Sequence, residues 1–407
     1  MSPVAAPRTA PVRMTSVERR ATTALAGIFG LRMLGMFVIL PVFALYAESL
    51  EGGRNRTLVG LALGAYGLTQ ALLQMPFGWA SDRWGRKPVI YSGLALFAAG
   101  SIVAALAPDI RWTIAGRALQ GAGAVSAVVI ALTADVTRDV VRTRAMAAIG
   151  MTIGATFALS MIAGPPLYAA IGMPGIFALT GVLAVAAMGV VRLVPSAAAK
   201  PQRVPSAAES RRVLTDPQLL RLNAGIFALH ALLMALFVEV PFALRDLGFA
   251  PARHWTIYLP VFVASALLMW PLVRRADSLE RGKRIFVGCV GVLIAAQVVL
   301  ASALDSLVGI VIALVLFFTA FNALEAMLPA LVSRFAPAEL KGFAVGVYSS
   351  SQFLGAFTGA AVGGALAQHF GTGALFGFGI ALAAAWLALS ATMAPPPPST
   401  NYSMGET

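Results

Sequence analysis

Twelve stretches of this chain are apolar over the roughly 20 residues a helix needs to cross a lipid bilayer, and that repetition limits the fold before any motif is considered. They run 21–47, 58–80, 88–107, 112–134, 144–170, 174–194, 217–244, 254–273, 284–303, 306–332, 342–368 and 373–393. Hydrocarbon offers no partner to an exposed N–H or C=O, so open runs of this length must be helices. Composition agrees. The 407 residues are 59% hydrophobic and 12% charged, whereas a soluble domain carries about 25% charged residues. The expected class is an all-α membrane protein with 12 transmembrane helices.

Between these runs the connections are short, except for 195–216, which is rich in Pro, Ala and Ser and reads as a mobile linker. It divides the chain into a tail (1–20), a first bundle of six helices (21–194), the linker, a second bundle of six (217–393) and a tail (394–407). The formal charge of +13 would suggest nucleic acid in a soluble domain. Here the basic residues crowd the N-terminal segment and the even-numbered connections, while the odd-numbered ones carry only Arg54, Arg56, Arg111, Arg245 and Arg253. The positive-inside rule then places both termini and the linker in the cytoplasm, and no nucleic-acid partner is expected. Segment 1–20 is polar, and the run after it has full span length, so no cleavable signal peptide is expected. Cys289 is the sole cysteine, and the three histidines have no metal-site spacing.

The two halves echo each other at an offset of nearly half the chain. Leu40-Pro41-Val42 is answered by Val240-Pro241-Phe242, and Met75-Pro76 with Asp82 by Trp270-Pro271 with Asp277. Gly150 and Gly346 each follow a short basic loop. Weak internal symmetry of this kind predicts two pseudo-symmetric six-helix bundles, as in duplicated transporters.

The densest cluster of charge lies between the second and third runs, in Gly78-Trp79-Ala80-Ser81-Asp82-Arg83-Trp84-Gly85-Arg86-Lys87-Pro88. Gly85 supplies the positive φ of a tight reversal and Gly78 a place for close backbone approach, while Pro88 suits a first helical turn. The pattern resembles the signature loop of the major facilitator superfamily. Arg117-Ala118-Leu119-Gln120-Gly121 resembles that superfamily's second motif. Gly164-Pro165 resembles part of the third, which is typical of drug/proton antiporters; the paired glycines expected after it are replaced by Leu167-Tyr168-Ala169-Ala170. Leu31-Arg32-Met33-Leu34-Gly35-Met36-Phe37, Phe321-Asn322-Ala323-Leu324-Glu325-Ala326 and Ser351-Gln352-Phe353-Leu354-Gly355 resemble the YajR-type bacterial transporters, over residues 17 to 393. Members of that group continue into a small soluble domain. This chain ends in a proline run and a short polar tail, so regulation through such a domain is not expected.

The resemblance implies alternating access by rocking of two bundles in a bacterial inner membrane. It implies a latch in which Asp82 sits near the N-terminus of span 11, a placement worth about 0.3–1 kcal/mol through the helix dipole. Arg86 would pair with Asp82 and with Asp135 at the end of span 4. Arg83 and Lys87 either join that latch or serve as topology determinants facing lipid phosphates.

A charge at mid-bilayer costs at least about 2.5–3.5 kcal/mol, so intramembrane polar residues are functional candidates. Glu325, with Asn322 on the same helix face, can be neutral while shielded and ionised when its side opens, as proton coupling needs; the alternative is a permanent salt bridge with an intramembrane arginine. Arg32 and Arg117 stay protonated and can hold an anionic substrate group or compensate a carboxylate. His230 titrates in the useful range but equally suits packing, and Glu239 is a proton-coupling candidate or an interfacial acid. Gln120 belongs to the Arg117 motif. The stripe Tyr66, Gln70, Gln74 and the pair Tyr348, Gln352 either line a cavity or bond neighbouring helices. Gly355, Gly359 and Gly363 form a close-packing face.

No phosphate-binding loop is visible, so the implied energy source is an ion gradient and no cofactor is expected. No catalytic constellation is visible either, so an enzyme is not expected. The first functional expectation is proton-coupled efflux of small amphipathic or cationic compounds by a monomer surrounded by lipid. The alternatives are proton-coupled uptake of a small nutrient or anion, and a transporter-like sensor that binds without turnover.

Overall fold

The computed structural model describes residues 14–195, 206–275 and 279–394. They form α1 (Ser16–Phe37), α2 (Phe43–Ala47), α3 (Arg56–Trp84), α4 (Arg86–Ala105), α5 (Ile110–Ala122), α6 (Ser126–Val136), α7 (Asp139–Leu193), α8 (Ala207–Thr215), α9 (Pro217–Asp246), α10 (Trp255–Arg275), α11 (Leu279–Ser302), α12 (Leu307–Phe335), α13 (Lys341–Phe370) and α14 (Thr372–Ala391). Side-chain caps start many of them. Thr15 and Glu18 make a capping box on α1, and Asn55, Asp109, Asp216 and Ser306 accept from the first-turn N–H groups of α3, α5, α9 and α12.

Among the described residues, nine stretches are long and apolar enough to cross a membrane, with α5 and α6 taken together. One of them, Val140–Leu193, has 54 residues. At about 1.5 Å per residue it would measure roughly 80 Å, more than twice a hydrocarbon core. Gly172, at φ +65°, breaks it into two arms, the first against α1 and the second against α4. α1 and α13 also have span length, but Arg32 on one and a run of Gly, Ser and Gln on the other dilute their apolar content.

Two expected spans are interrupted. The first ends at Phe37, because Pro41 has no N–H to give and its ring would strike the carbonyl four residues earlier; α2 resumes after a run of turns. Pro241, its echo, stays inside α9. The fourth is broken between Ala122 and Ser126, where Gly123 lies against the backbone of Gly93 on α4. The linker differs from expectation too. Ser206 and Glu209 form a capping box that starts α8, and Val213 is buried; the Ser-x-x-Glu spacing was a readable signal. Residues 196–205, Asp277 and the proline tail lie outside the described residues.

α1 to α7 pack mainly on one another, as do α9 to α14, and the two sets meet chiefly where α3 faces α13 and α7 faces α10. The first contact is dry and tight at the end carrying Arg56. A Cβ on Gly60 would collide with the Ala360 carbonyl, and one on Gly64 or Gly67 with the backbones of Phe357 and Phe353. α13 presses its other side on α9, with Gly355 against Phe227 and Gly359 against Ala231. At the end carrying Arg86 the same two helices part: a Cβ on Gly78, Gly342 or Gly346 would meet open space. The molecule is closed at the Arg56 end and splayed at the Arg86 end.

Candidate functional site

At the splayed end the chain reverses at Gly85, whose φ of +92° is costly for any residue with a Cβ. That reversal points Arg86, the first residue of α4, back into its own bundle. Its Nη1 lies 2.5 Å from Asp82 and 2.6 Å from the Ser81 hydroxyl, and its Nε donates to Asp135 at 2.9 Å. Arg86 and Asp135 side chains are 3% and 6% exposed, so α3, α4 and α6 are tied by a shielded charge cluster. Asp82 meets Arg86 rather than the N-terminus of α13, and a Cβ on Gly78 or Gly342 would meet nothing within 4 Å. Arg83 lies over the Trp79 ring, and Lys87 is half-buried at the start of α4. Beside this cluster, Glu18 accepts from the Arg138 guanidinium at 2.8 Å, which holds its carboxyl well below the usual carboxylate range.

Deeper in the first set, Arg32 donates to Ser126 and to Gln70, and Gln70 passes an N–H to Gln74 at 2.9 Å. The break between α5 and α6 is what brings Ser126 to the start of α6, within reach of Arg32. Arg117 donates to Gln120 at 2.8 Å and to the Gly35 carbonyl at 3.4 Å, and Gln120 donates onward to Ser101 at 2.8 Å. The Tyr66 ring sits between the two cations, 5.8 Å from the Arg32 guanidinium carbon and 5.0 Å from that of Arg117. Gly121 makes this possible, since a Cβ there would occupy the position of the Tyr66 carbonyl. Tyr66, Gln70, Gln74, Arg117 and Gln120 are all buried, so in this pose the stripe serves the arginines instead of lining open space.

In the second set, Glu325 on α12 and Asn322 one turn earlier are half-buried. The amide of Gln352 on α13 donates to His230 Nε2 at 2.8 Å and approaches Glu325 Oε1 at 3.5 Å. His230 Nδ1 faces the Ile226 carbonyl at 3.3 Å. A carbonyl can only accept, so Nδ1 of the imidazole carries a proton. Glu325 Oε2 and the Tyr348 hydroxyl are buried without a hydrogen-bond partner among the described residues. The ion pairs of the described residues join Glu325 to neither Arg32 nor Arg117. The permanent salt bridge weighed for Glu325 is therefore absent from this pose.

Glu239 belongs elsewhere. It sits at the closed end, 2.5 Å from Arg56 of α3, and so joins the two sets instead of the Glu325 cluster. An aromatic seam, in which only Phe37 and Phe321 belong to the motifs read from the sequence, also bridges the sets. Phe157 of α7 lies 5.0 Å from Phe37, 5.6 Å from Phe262, 5.9 Å from Phe318 and 6.0 Å from Phe321, ring centre to ring centre, and Phe321 reaches His230 at 5.6 Å. The i, i+3 spacing of Phe318 and Phe321 was legible; their meeting with Phe157 was not.

The all-helical fold in two packed sets, one with paired buried arginines and the other with a half-buried acid, is that of a membrane transporter and not of an enzyme. The chain belongs to the Major Facilitator Superfamily, whose sequence model matches residues 25–359. It is 44% identical over 389 residues to the inner membrane transport protein YajR of Escherichia coli (strain K12), covering 95% of this chain and 86% of that one. It is 31% identical over 235 residues, 57% of each chain, to the class G tetracycline resistance protein of Vibrio anguillarum. In fold it is similar to a bacterial homologue of the human lysosomal transporter Spinster, crystallised inward-facing and occupied, with TM-score 0.72, 15% identity and coverage of 95% of this chain and 100% of that one. It is a multi-pass membrane transporter of a small-molecule substrate.

Proposed function

We propose that the chain exports small amphipathic compounds in exchange for protons by alternating access, as a monomer in a bacterial inner membrane with both termini cytoplasmic. Its bundles are 21–194 and 217–393. In this orientation the splayed Arg86 end faces the cytoplasm, ready to load substrate, and the Arg56 end faces out. One observation carries the reading: Glu325 is an intramembrane carboxyl with one buried oxygen unpartnered and, among the described residues, no cation paired to it. Such a group gains from a proton when shielded and loses it when its side is wetted. Gln352 and His230 orient it and link its state to α13 and α9, which move against α3. The Arg86–Asp82–Asp135 cluster is the latch that would engage the N-terminus of α13 when the cytoplasmic side closes. Arg32 and Arg117, held by neutral partners around Tyr66, keep the first bundle polar at mid-membrane. Basic loop residues such as Arg83 and Lys87 face lipid phosphates.

Proteoliposomes with an imposed proton gradient test the proposal, using a fluorescent amphipathic dye as probe. Glu325→Gln is expected to abolish gradient-driven efflux and flatten its pH dependence. Unchanged efflux and pH dependence in that variant would refute the mechanism. A second reading has its own support: Arg32 is buried with only neutral acceptors, which favours an anionic substrate moving with the proton. Uptake of a small carboxylate driven by an inward proton gradient would select it.

A further inference from the structure

The closed end is held by an arrangement that no motif of the superfamily loop describes. Arg56, at the start of α3, pairs with Glu239 of α9 at 2.5 Å, and its backbone N–H donates to Gln368 of α13 at 2.7 Å. Arg245, near the end of α9, pairs with Glu48, just after α2, and with Asp246 at 3.1 Å. Phe242 lies between the two arginines, its ring centre 4.9 Å from the Arg56 guanidinium carbon and 5.2 Å from that of Arg245. The Arg56–Glu239 and Arg245–Glu48 pairs therefore cross from one set to the other, while Arg245–Asp246 stays within α9, and one ring of the second set is held by cations on both sides.

The two pairs are unequal. Glu48 and Arg245 are about as exposed as each other, at 39% and 38%, so water and salt screen their attraction. The Glu239 side chain is 5% exposed and its partner Arg56 32%, so this pair is half shielded and draws on a lower dielectric. Behind it lies the dry contact of Gly60 and Gly64 with α13. Parting α3 from the second set at this end requires parting Arg56 both from Glu239 of α9 and from Gln368 of α13. The charged groups paired with one another at the mouth are Arg56 from α3, Glu48 from the segment after α2, and Arg245 and Asp246 from the same helix as Glu239; Arg54, exposed just before α3, adds a further cation, and α13 contributes the neutral Gln368.

We propose that Arg56 and Glu239 are the clasp of the outer gate, and that a proton arriving from outside releases it by neutralising Glu239. A protonated Glu239 leaves Arg56 a neutral oxygen in place of an anion, and the shielded half of the closure is lost while the exposed Glu48–Arg245 pair contributes little. External acid then biases the molecule toward the pose in which substrate leaves. The inference rests on the proton-coupled reading and extends it to a second acid, distinct from Glu325.

The sole cysteine, Cys289, is buried, so introduced cysteines are labelled cleanly. Nitroxides at Arg54→Cys and Ala250→Cys, both exposed at this mouth on opposite sets, report its width in purified protein in liposomes. Between about pH 8 and about pH 5, the distance distribution is expected to lengthen. In Glu239→Gln, and independently in Arg56→Gln, it is expected to be long at both pH values. A short, unchanged distance in both variants would overturn the clasp. A lengthening on acidification that persists in Glu239→Gln, or none in the parent protein, would overturn the proton's part in it. Glu325→Gln should retain the shift. Since the measurement needs no flux, the gate can fail while the Glu325 mechanism stands, and the reverse.

Discussion

Removing Arg86 should cost far more than removing either acid it holds, and the structure sets the size of the difference. With Arg86→Ala, the Asp135 carboxylate, 6% exposed, is left in a shielded place with its strongest partner gone. Breaking a buried pair from one side costs about 3–5 kcal/mol, chiefly as the penalty of the stranded charge. With Asp135→Asn, Arg86 keeps Asp82 at 2.5 Å and the Ser81 hydroxyl at 2.6 Å, and the new amide oxygen still accepts from Nε. The loss is then nearer one charge-assisted hydrogen bond, about 1–2 kcal/mol. Combining the two removes the stranded carboxylate, so the double variant should recover about 1–3 kcal/mol relative to Arg86→Ala alone. At about 2 °C per kcal/mol for a helical unit of this size, the apparent melting temperature should fall by roughly 6–10 °C in Arg86→Ala and by roughly 2–4 °C in Asp135→Asn. Intrinsic tryptophan fluorescence of detergent-purified protein on a temperature ramp measures this. If Asp135→Asn melts as low as Arg86→Ala, or the double variant melts no higher than Arg86→Ala, the argument from a stranded buried charge is wrong.

Further outcomes follow from other contacts. The Arg138 guanidinium lowers the Glu18 carboxyl below its unfolded value of 4.5, so this contact stabilises above that value and loses its contribution as pH falls below it. Melting temperature should therefore drop more steeply below about pH 4.5 in the parent protein than in Glu18→Gln, and equal slopes would count against it. Phe157→Ala empties the ring that meets Phe37, Phe262, Phe318 and Phe321. Three of those contacts cross between the sets, at about 0.5–1.5 kcal/mol each. The variant should pass protons without substrate, measured as decay of a pH gradient in proteoliposomes, and a decay rate unchanged from the parent protein would refute that role for the seam.

The sequence alone determined the membrane fold, because span length and the shortage of charge admit no other way to satisfy the backbone in lipid. It also determined the Gly85 reversal, and it placed Asp82 and Arg86 at one loop, since these depend on neighbours within a few residues. What touches across the molecule was decided by tertiary packing. Glu325 is as acidic in the sequence as Glu239, yet α12 leaves one beside Gln352 and His230 with no cation paired to it among the described residues, while α9 presents the other to Arg56, 183 residues away in the chain. Gly60, Gly64 and Gly67 look like ordinary small residues until α13 lies on them. The breaks at Pro41 and Gly123 follow the same division, for a helix's composition says that it crosses the bilayer but not where a neighbour's backbone interrupts it. Electrostatic and steric partners depend on distance in space, and only the folded chain sets that.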